Sequence, residues 1–278
     1  MSALPQPAAE AADLLRQWLA PFARVFVLTG AGCSTNSGIP DYRDADGQWK
    51  RTPPVTFQAF TGDAYVNARY WARSFIGWPR IHDARPNAVH DALAQWESRG
   101  NVSMLLTQNV DGLHQRAGSR RVIDLHGRLD GVVCLQCRAE SPRATLQARL
   151  ADANPEWAHL DATTAPDGDA NLEGHDFSRF QVPACEACGG MLKPDVVFFG
   201  ENVPRDRAVR AGEALKASDA MLVVGSSLMV YSGFRFARMA HEAGIPLAIL
   251  NRGRTRADEL ATLKIEAEAG AVLSAALG

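Results

Sequence analysis

Within "TQNVDGLH" (107–114) the chain gathers two amides, a carboxylate and an imidazole directly after an apolar run. Gln108 and Asn109 can each donate and accept, and ionised Asp111 only accepts. A turn needs small or φ-permissive residues, not this combination. The cluster's place, at the end of an apolar run, is consistent with a site. A second histidine, His126, precedes a glycine in "DLHGRLD" (124–130), at the end of the short "RVIDL" run. On its own it reads first as a surface or satisfied core group, with catalysis as the alternative. His82, His90, His114, His159, His175 and His241 read first as surface or satisfied core groups.

Four of the five cysteines form two C-x-x-C pairs, "CLQC" (Cys134, Cys137) and "CEAC" (Cys185, Cys188). Four thiolates in a tetrahedron make a closed zinc site, which is structural because no coordination position stays open. The 47 residues between Cys137 and Cys185 exceed a compact ribbon. An acidic insert fills that gap, with seven acids and one arginine over residues 151–180 and little periodicity. It reads as a solvated loop. Redox or core cysteines are the alternative for the pairs, and Cys33 reads as a packing residue.

"TGAGCSTNSGIPDYR" (29–43) follows an apolar strand, and its glycines allow backbone N–H groups to approach a pyrophosphate. It is not G-x-G-x-x-G, and no acid stands at the usual ribose position. Asp41, Tyr42 and Arg43 add groups that a simple phosphate cradle does not need. "GGMLKPDVVFFGE" (189–201) reads as a strand, while "GSSL" (225–228) and "LNRG" (250–253) cap two more with small and polar groups.

The elements that must position these groups follow from hydrophobic continuity. Residues 23–32, 102–110, 220–228 and 246–251 are unbroken apolar runs ending in small or polar residues. Such runs suit strands buried on both faces of a parallel sheet. Helical patterns over 86–99, 205–217 and 233–243, the last followed by Gly244, lie between them. The expected fold is α/β, a Rossmann-like doubly wound parallel sheet with a smaller zinc-binding and helical domain, ligands lying at the carboxyl ends of the strands. Residues 1–45, 86–131 and 191–278 would form the large domain. A helical module (46–85) and a zinc-binding module (132–190) would form the small one.

The 278 residues are 46% hydrophobic and 22% charged, with a net charge of −2 and a pI near 6.4. That balance gives no electrostatic case for nucleic acid, and no apolar run is long enough to span a membrane. The first segment reads as the first helix of the fold. A bacterial cytoplasm is expected, with a mitochondrial matrix as the alternative.

In order, "GAGCSTNSGIPDYR", "TQNVDGLH", the "HG" at His126, the two C-x-x-C pairs, "KPDVVFFGE", "GSSL" and "LNRG" resemble the sirtuin family of NAD-dependent protein deacylases, over about residues 14–269. "PDYR", "RYWARSFIGWP", "APDGD" and "YSGFRF" look like its class II branch. The resemblance implies that an acyl-lysine oxygen attacks C1′ of the nicotinamide ribose of NAD and expels nicotinamide, forming an alkylimidate. His126 would then act as base on a ribose hydroxyl, and water would free lysine and O-acyl-ADP-ribose. It also implies the contacts. Gly30, Ala31, Gly32 and Ser34 would approach the pyrophosphate. Ile39, Asp41, Gln108, Asn109 and Asp111 would hold the nicotinamide riboside, with Arg43 beside them. Gly225, Ser226, Ser227, Asn251, Arg252 and Gly253 would serve the adenosine, with Ala269 near the adenine. Val197, Phe198, Gly200 and Glu201 would pair with the substrate backbone as an added strand. Tyr70 and Arg73 form a Y-x-x-R pair that would bind an acyl carboxylate; the alternative is a packed tyrosine and a solvated arginine. The insert would approach the acyl channel.

Acylated lysine side chains of proteins are thus the expected partners, NAD the co-substrate and one Zn2+ the structural ion. Protein mono-ADP-ribosyl transfer and lipoamide hydrolysis would use the same pocket. An NAD-sensing zinc module without turnover is the non-enzymatic alternative, and His126 with Asn109 weighs against it.

Overall fold

The chain begins with α1 (Ala8–Leu19), whose Ala11, Ala12, Leu15 and Leu19 form one buried stripe at helical spacing. It continues into β1 (Val25–Thr29), buried along its whole length. The computed structural model describes residues 7–50, 54–160, 169–170, 172 and 174–278. Of the "APDGD" stretch, only Asp169 falls among them.

Two short 3-10 turns, Ala31–Cys33 and Thr35–Ser37, follow β1. Then come α2 (Phe57–Gly62), α3 (Ala64–Asp83) and α4 (Ala88–Ser98). The side chains of Thr56, Asp63 and Asn87 cap their first turns by accepting backbone N–H groups that no intrahelical carbonyl can reach. The chain proceeds through β2 (Val102–Thr107), α5 (Leu113–Arg116), β3 (Val122–Asp124), β4 (Gly127–Cys134), β5 (Glu140–Pro142) and α6 (Arg143–Ala153). After the insert come β6 (Leu192–Val196), α7 (Arg205–Lys216), β7 (Ala220–Val224), α8 (Tyr231–Glu242), β8 (Leu247–Leu250), β9 (Leu263–Ile265) and α9 (Ala269–Leu277).

Six parallel strands form one sheet in the order β3-β2-β1-β7-β8-β9. Successive β1 residues serve opposite faces. Val25 and Val27 pack with α1, α4 and α9 residues such as Leu15, Leu93 and Leu273, while Phe26 and Leu28 pack with Leu215 and Phe236 of α7 and α8. The strand order reverses between β1 and β7, and in doubly wound sheets ligands bind at that crevice.

The sequence reading placed residues 191–278 in the large domain. Instead, β6 pairs antiparallel with β4 in a three-stranded sheet, β5-β4-β6. β4 runs across the expected boundary at 131, and β6 lies just beyond the one at 191. The reason is a shared core: Leu129, Val132, Leu192 and Val196 pack with Trp71 and Phe75 of α3 and Leu146 and Leu150 of α6. The same pairing brings the two cysteine turns together. Among the described residues the insert contributes the end of α6, to Ala153, and the 3-10 turn Pro155–Trp157. It is not the solvated loop expected, because Trp157, Ala170, Leu172, Phe177 and Phe180 are buried in the small-domain core. Helix α6, strand β9 and helix α9 are elements that the sequence pattern did not reveal.

Candidate active site

The ends of β1 and β7 meet at the crevice through glycines. Gly30 N–H donates to Val224 O (3.2 Å) and Gly32 N–H to Gly225 O (2.9 Å). A Cβ on Gly32 would stand 2.9 Å from Gly225 O. One on Gly225, which has φ +58°, would stand 2.6 Å from Cys33 N. Neither position has room for a side chain, so the two loops touch backbone to backbone. Burial pushes the Cys33 thiol up to about 12 and its Sγ donates to Val224 O, so it is an inert packing group.

The polar cluster after β2 ties these loops together. Gln108 Nε2 donates to Ser226 Oγ (2.7 Å) and Asn109 Nδ2 to Gly30 O and Ser34 Oγ (both 3.0 Å). Ser34 Oγ donates to Asp111 Oδ2 (2.7 Å), and Asp111 Oδ1 accepts from Leu113 N–H (2.9 Å). His114 does not share this role. It is fully buried beneath β1, bonded to Thr29 Oγ1 (2.9 Å) and 4.8 Å from the His90 ring. Desolvation holds it well below the usual histidine range.

His126 follows β3 and is half-buried. Its Nδ1 lies 3.0 Å from Gln108 O and its Nε2 lies 2.8 Å from Ser232 Oγ in α8. Burial pushes the imidazole down to about 4, and Arg235 and Arg207 add to this while the Gln108 bond opposes it. The ring is therefore neutral at physiological pH. Because a carbonyl oxygen only accepts, its one hydrogen is on Nδ1. Nε2 is then the acceptor nitrogen, facing Ser232 Oγ, and it is the unprotonated nitrogen that a general base requires.

A cavity of about 800 Å3 opens above this network, between the two sheets. It is lined by Gly30, Ala31, Gly32, Ser34, Ile39, Asp41, Arg43, Gln108, Asn109, Asp111, His126, Gly225, Ser226, Ser227, Asn251 and Arg252. Gly253 and Ala269 are outside its lining. A Cβ on Gly253 would collide with the Ala45 backbone, and Arg254 N–H donates to Ala45 O (2.8 Å). That glycine therefore secures the loop under the cavity. Ala269 is the first residue of α9, behind the Glu268 cap.

Tyr70, Val197, Phe198, Gly200 and Glu201 also line the cavity. Much of this segment already has partners. Val197 N–H donates to His126 O (2.8 Å), and Phe199 O accepts from Phe57 N–H (2.8 Å). Glu201 accepts from Lys193 Nζ (3.1 Å) and from Phe198 N–H (2.9 Å). Tyr70 is buried among Phe60, Trp71 and Phe198.

Arg73, one turn along α3, is not in the lining. Its Nε donates to Ala170 O (2.8 Å), its own carbonyl accepts from Ala170 N–H (2.8 Å), and Nη1 is 4.0 Å from buried Asp169. The insert thus packs on α3, and the arginine is neither solvated nor free for a ligand in the cavity.

Tyr42, noted in the sequence beside Asp41 and Arg43, lines the wall too, and the sequence reading gave no site role to Asp44, Trp49, Lys50, Tyr231, Ser232 and Arg235, which also line it. Lys50 pairs with Asp41 (2.5 Å), and the Arg43 guanidinium lies 4.0 Å from the Trp49 ring centroid. Ser232 stands in "YSGFRF" with no sign of a role there; only the packing of α8 on β7 and β8 brings it to His126.

The four paired cysteines form a separate cluster, with all sulfur atoms within 4.8 Å of one another. Cys134 Sγ–Cys188 Sγ is 3.5 Å and Cys137 Sγ–Cys185 Sγ is 3.8 Å. Bonds of about 2.3 Å in a tetrahedron set sulfurs about 3.8 Å apart, and a disulfide would be about 2.0 Å. Each pair sits in the same turn: Arg138 N–H returns to Cys134 O, Gly189 N–H to Cys185 O. Arg138 and Gly189 both adopt positive φ, 64° and 75°. The donor set fits a tetrahedral thiolate ion with no open position.

Residues 30–232 match the Sir2 family. The chain belongs to that family. It is 63% identical over 260 residues to "NAD-dependent protein deacetylase 2" of Bradyrhizobium diazoefficiens, covering 94% of this chain and 95% of the relative. It is 48% identical over 262 residues to the human "NAD-dependent protein lipoamidase sirtuin-4, mitochondrial", covering 93% and 83%. Among solved structures, a Sir2 complex with a peptide and NAD+ superposes with a TM-score of 0.74 at 31% identity, covering 97% and 96%. A second, holding deacetylated peptide and 3′-O-acetyl ADP ribose, gives 0.76 at 31%, covering 95% and 96%. The Sir2 match spans the glycine loop, the amide cluster, His126, all four cysteines and Ser232. For most of the chain it therefore agrees with the resemblance that the sequence motifs carry.

Proposed function

We propose that this chain is an NAD-dependent protein-lysine deacylase of the class II sirtuin branch, with nicotinamide and O-acyl-ADP-ribose as products. The observation that carries the proposal is His126: a neutral imidazole in the cavity wall, its Nδ1 on Gln108 O and its Nε2 lone pair on the Ser232 side. NAD, when bound, supplies the ribosyl carbon and the hydroxyls that receive the acyl group. The residues lining the cavity have the chemistry to hold it. Backbone N–H groups around Gly30–Gly32 suit the pyrophosphate, and Asn109 and Asp111 suit the riboside. Asn251 and Ser227 suit the adenosine side. Phe198, Tyr70 and Leu129 supply an apolar wall for an acyl chain. The 48% identity to the human lipoamidase supports the branch assignment and adds lipoyl-lysine to the candidate substrates.

One Zn2+ at Cys134, Cys137, Cys185 and Cys188 would fix the small sheet and take no part in the reaction. The partners are acylated lysines of proteins, a reading supported by related Sir2 structures bound to propionylated and acetylated peptides. For the acyl group we favour neutral chains, because Asp169 already answers the charge of Arg73. For the place of action we favour a bacterial cytoplasm, in keeping with the bacterial relatives and with thiols kept reduced for a metal. The test is NAD consumption against acetyl-, lipoyl-, long-chain-, succinyl- and glutaryl-lysine peptides, with the products read by mass. O-acyl-ADP-ribose from the neutral members is expected. No O-acyl-ADP-ribose from any member would overturn the reading.

A further inference from the structure

Two polar neighbours hold the His126 ring, and the second, the serine of "YSGFRF", was given no role in the site from the sequence. Ser232 is the second residue of α8, and its Oγ lies 2.8 Å from His126 Nε2. The helix comes this close because of the residue after it. A Cβ on Gly233 would collide with the side-chain carbonyl oxygen of Gln108, the residue whose main-chain oxygen takes Nδ1. Ser232 and Gly233 thus dock the first turn of α8 on His126 and on Gln108.

We propose that Ser232 is a positioning residue for His126: its hydroxyl donates to Nε2 and fixes the plane of the ring. The assignment of donor follows from the hydrogen count. Gln108 O can only accept, so a neutral ring spends its hydrogen on Nδ1 and leaves Nε2 an acceptor. An imidazolium would reverse the Ser232 bond. The charged groups acting on the ring disfavour that state, for Arg235 of α8 and Arg207 of α7 both oppose protonation. Asp195 of β6 is turned to Arg207 (3.5 Å). A donor on Nε2 lowers the ring's affinity for a proton; an acceptor there raises it.

This inference rests on the deacylase reading for its functional meaning, but its first test does not require turnover. The His126 imidazole is titrated by 15N NMR in the wild type, Ser232→Ala and Ser232→Thr, with His126→Gln used to assign the signal. Losing one neutral hydrogen bond should raise the proton affinity of the ring about three- to ten-fold in Ser232→Ala, and Ser232→Thr should restore it. The acid limb of O-acyl-ADP-ribose formation should move up in pH with it, while nicotinamide exchange, which precedes the base step, stays within about two-fold. An unchanged proton affinity in Ser232→Ala would reduce Ser232 to packing. A lowered affinity would show that the hydroxyl accepts from an imidazolium. Either result overturns the proposal. Failure of the deacylase reading is distinct: the wild type would form no O-acyl-ADP-ribose, whatever the NMR shows.

Discussion

Lowering the pH from 7 to 5 should destabilise the wild type more than His126→Gln. In the folded chain the His126 imidazole is held down at about 4, against 6.5 for an unperturbed ring. The unfolded chain therefore binds more protons between those values, and stability falls as pH falls. For one such group the linkage relation gives a contribution of a few tenths of a kcal/mol at pH 7 and about 2 kcal/mol at pH 5. Screening of the half-buried ring by the cavity reduces this to about 1–2 kcal/mol. His90 and His114 are also held low by burial, so both proteins lose stability on acidification with the same sign. The difference between them isolates His126. Urea denaturation of both proteins at pH 7 and pH 5, with zinc bound, measures it through the shift in midpoint at constant slope. Equal losses would refute the neutral, desolvated imidazole on which base catalysis depends. A greater loss in His126→Gln would reverse the sign outright.

Three further predictions address the rest of the molecule. Cys185→Ser should abolish stoichiometric zinc, measured by atomic absorption, and broaden the unfolding transition, because metal binding is coupled to folding. Gly225→Ala should weaken NAD binding at least ten-fold by calorimetry, because its Cβ would enter the Cys33 backbone at 2.6 Å and φ is +58°; unchanged affinity would show that the crevice yields. Asp169→Asn should raise turnover of succinyl-lysine relative to acetyl-lysine several-fold by leaving the Arg73 charge unanswered, and Arg73→Met should leave acetyl-lysine turnover within about two-fold. A fall in both acyl classes together would mean that Asp169 and Arg73 only brace the insert.

The large sheet was legible because its strands are buried on both faces, so each is an unbroken apolar run: VFVLT, MLLT, AMLVV and LAIL mark four of the six. The three-residue β9 is too short to make a pattern, and β6, with Lys193 and Pro194 at its centre, does not show its partner. Its pairing with β4 is set by the cysteine turns and the α3–α6 core, which are long-range contacts. The site residues were legible where they stand at strand ends: Gly30 to Gly32 with Ser34, Gln108 to Asp111, His126, Gly225 to Ser227 and Asn251 with Arg252 all reach the cavity. Arg73 has the expected spacing from Tyr70, but its surroundings come from the insert, whose course no periodicity encodes. Ser232 was invisible for a related reason. A serine at the start of a helix is ordinary, and only its 2.8 Å approach to a residue 106 positions away gives it meaning.

The central claim is that this cavity uses His126 to move an acyl group from lysine to NAD. The most direct measurement mixes wild type or His126→Tyr with NAD and an acetyl-lysine peptide, and quantifies nicotinamide, free peptide and O-acetyl-ADP-ribose by mass. Equal amounts of all three from the wild type, with O-acetyl-ADP-ribose and free peptide absent from the folded, zinc-loaded variant, are the predicted result. Nicotinamide released with ADP-ribose attached to protein, or O-acetyl-ADP-ribose still formed at wild-type rate by His126→Tyr, would contradict it.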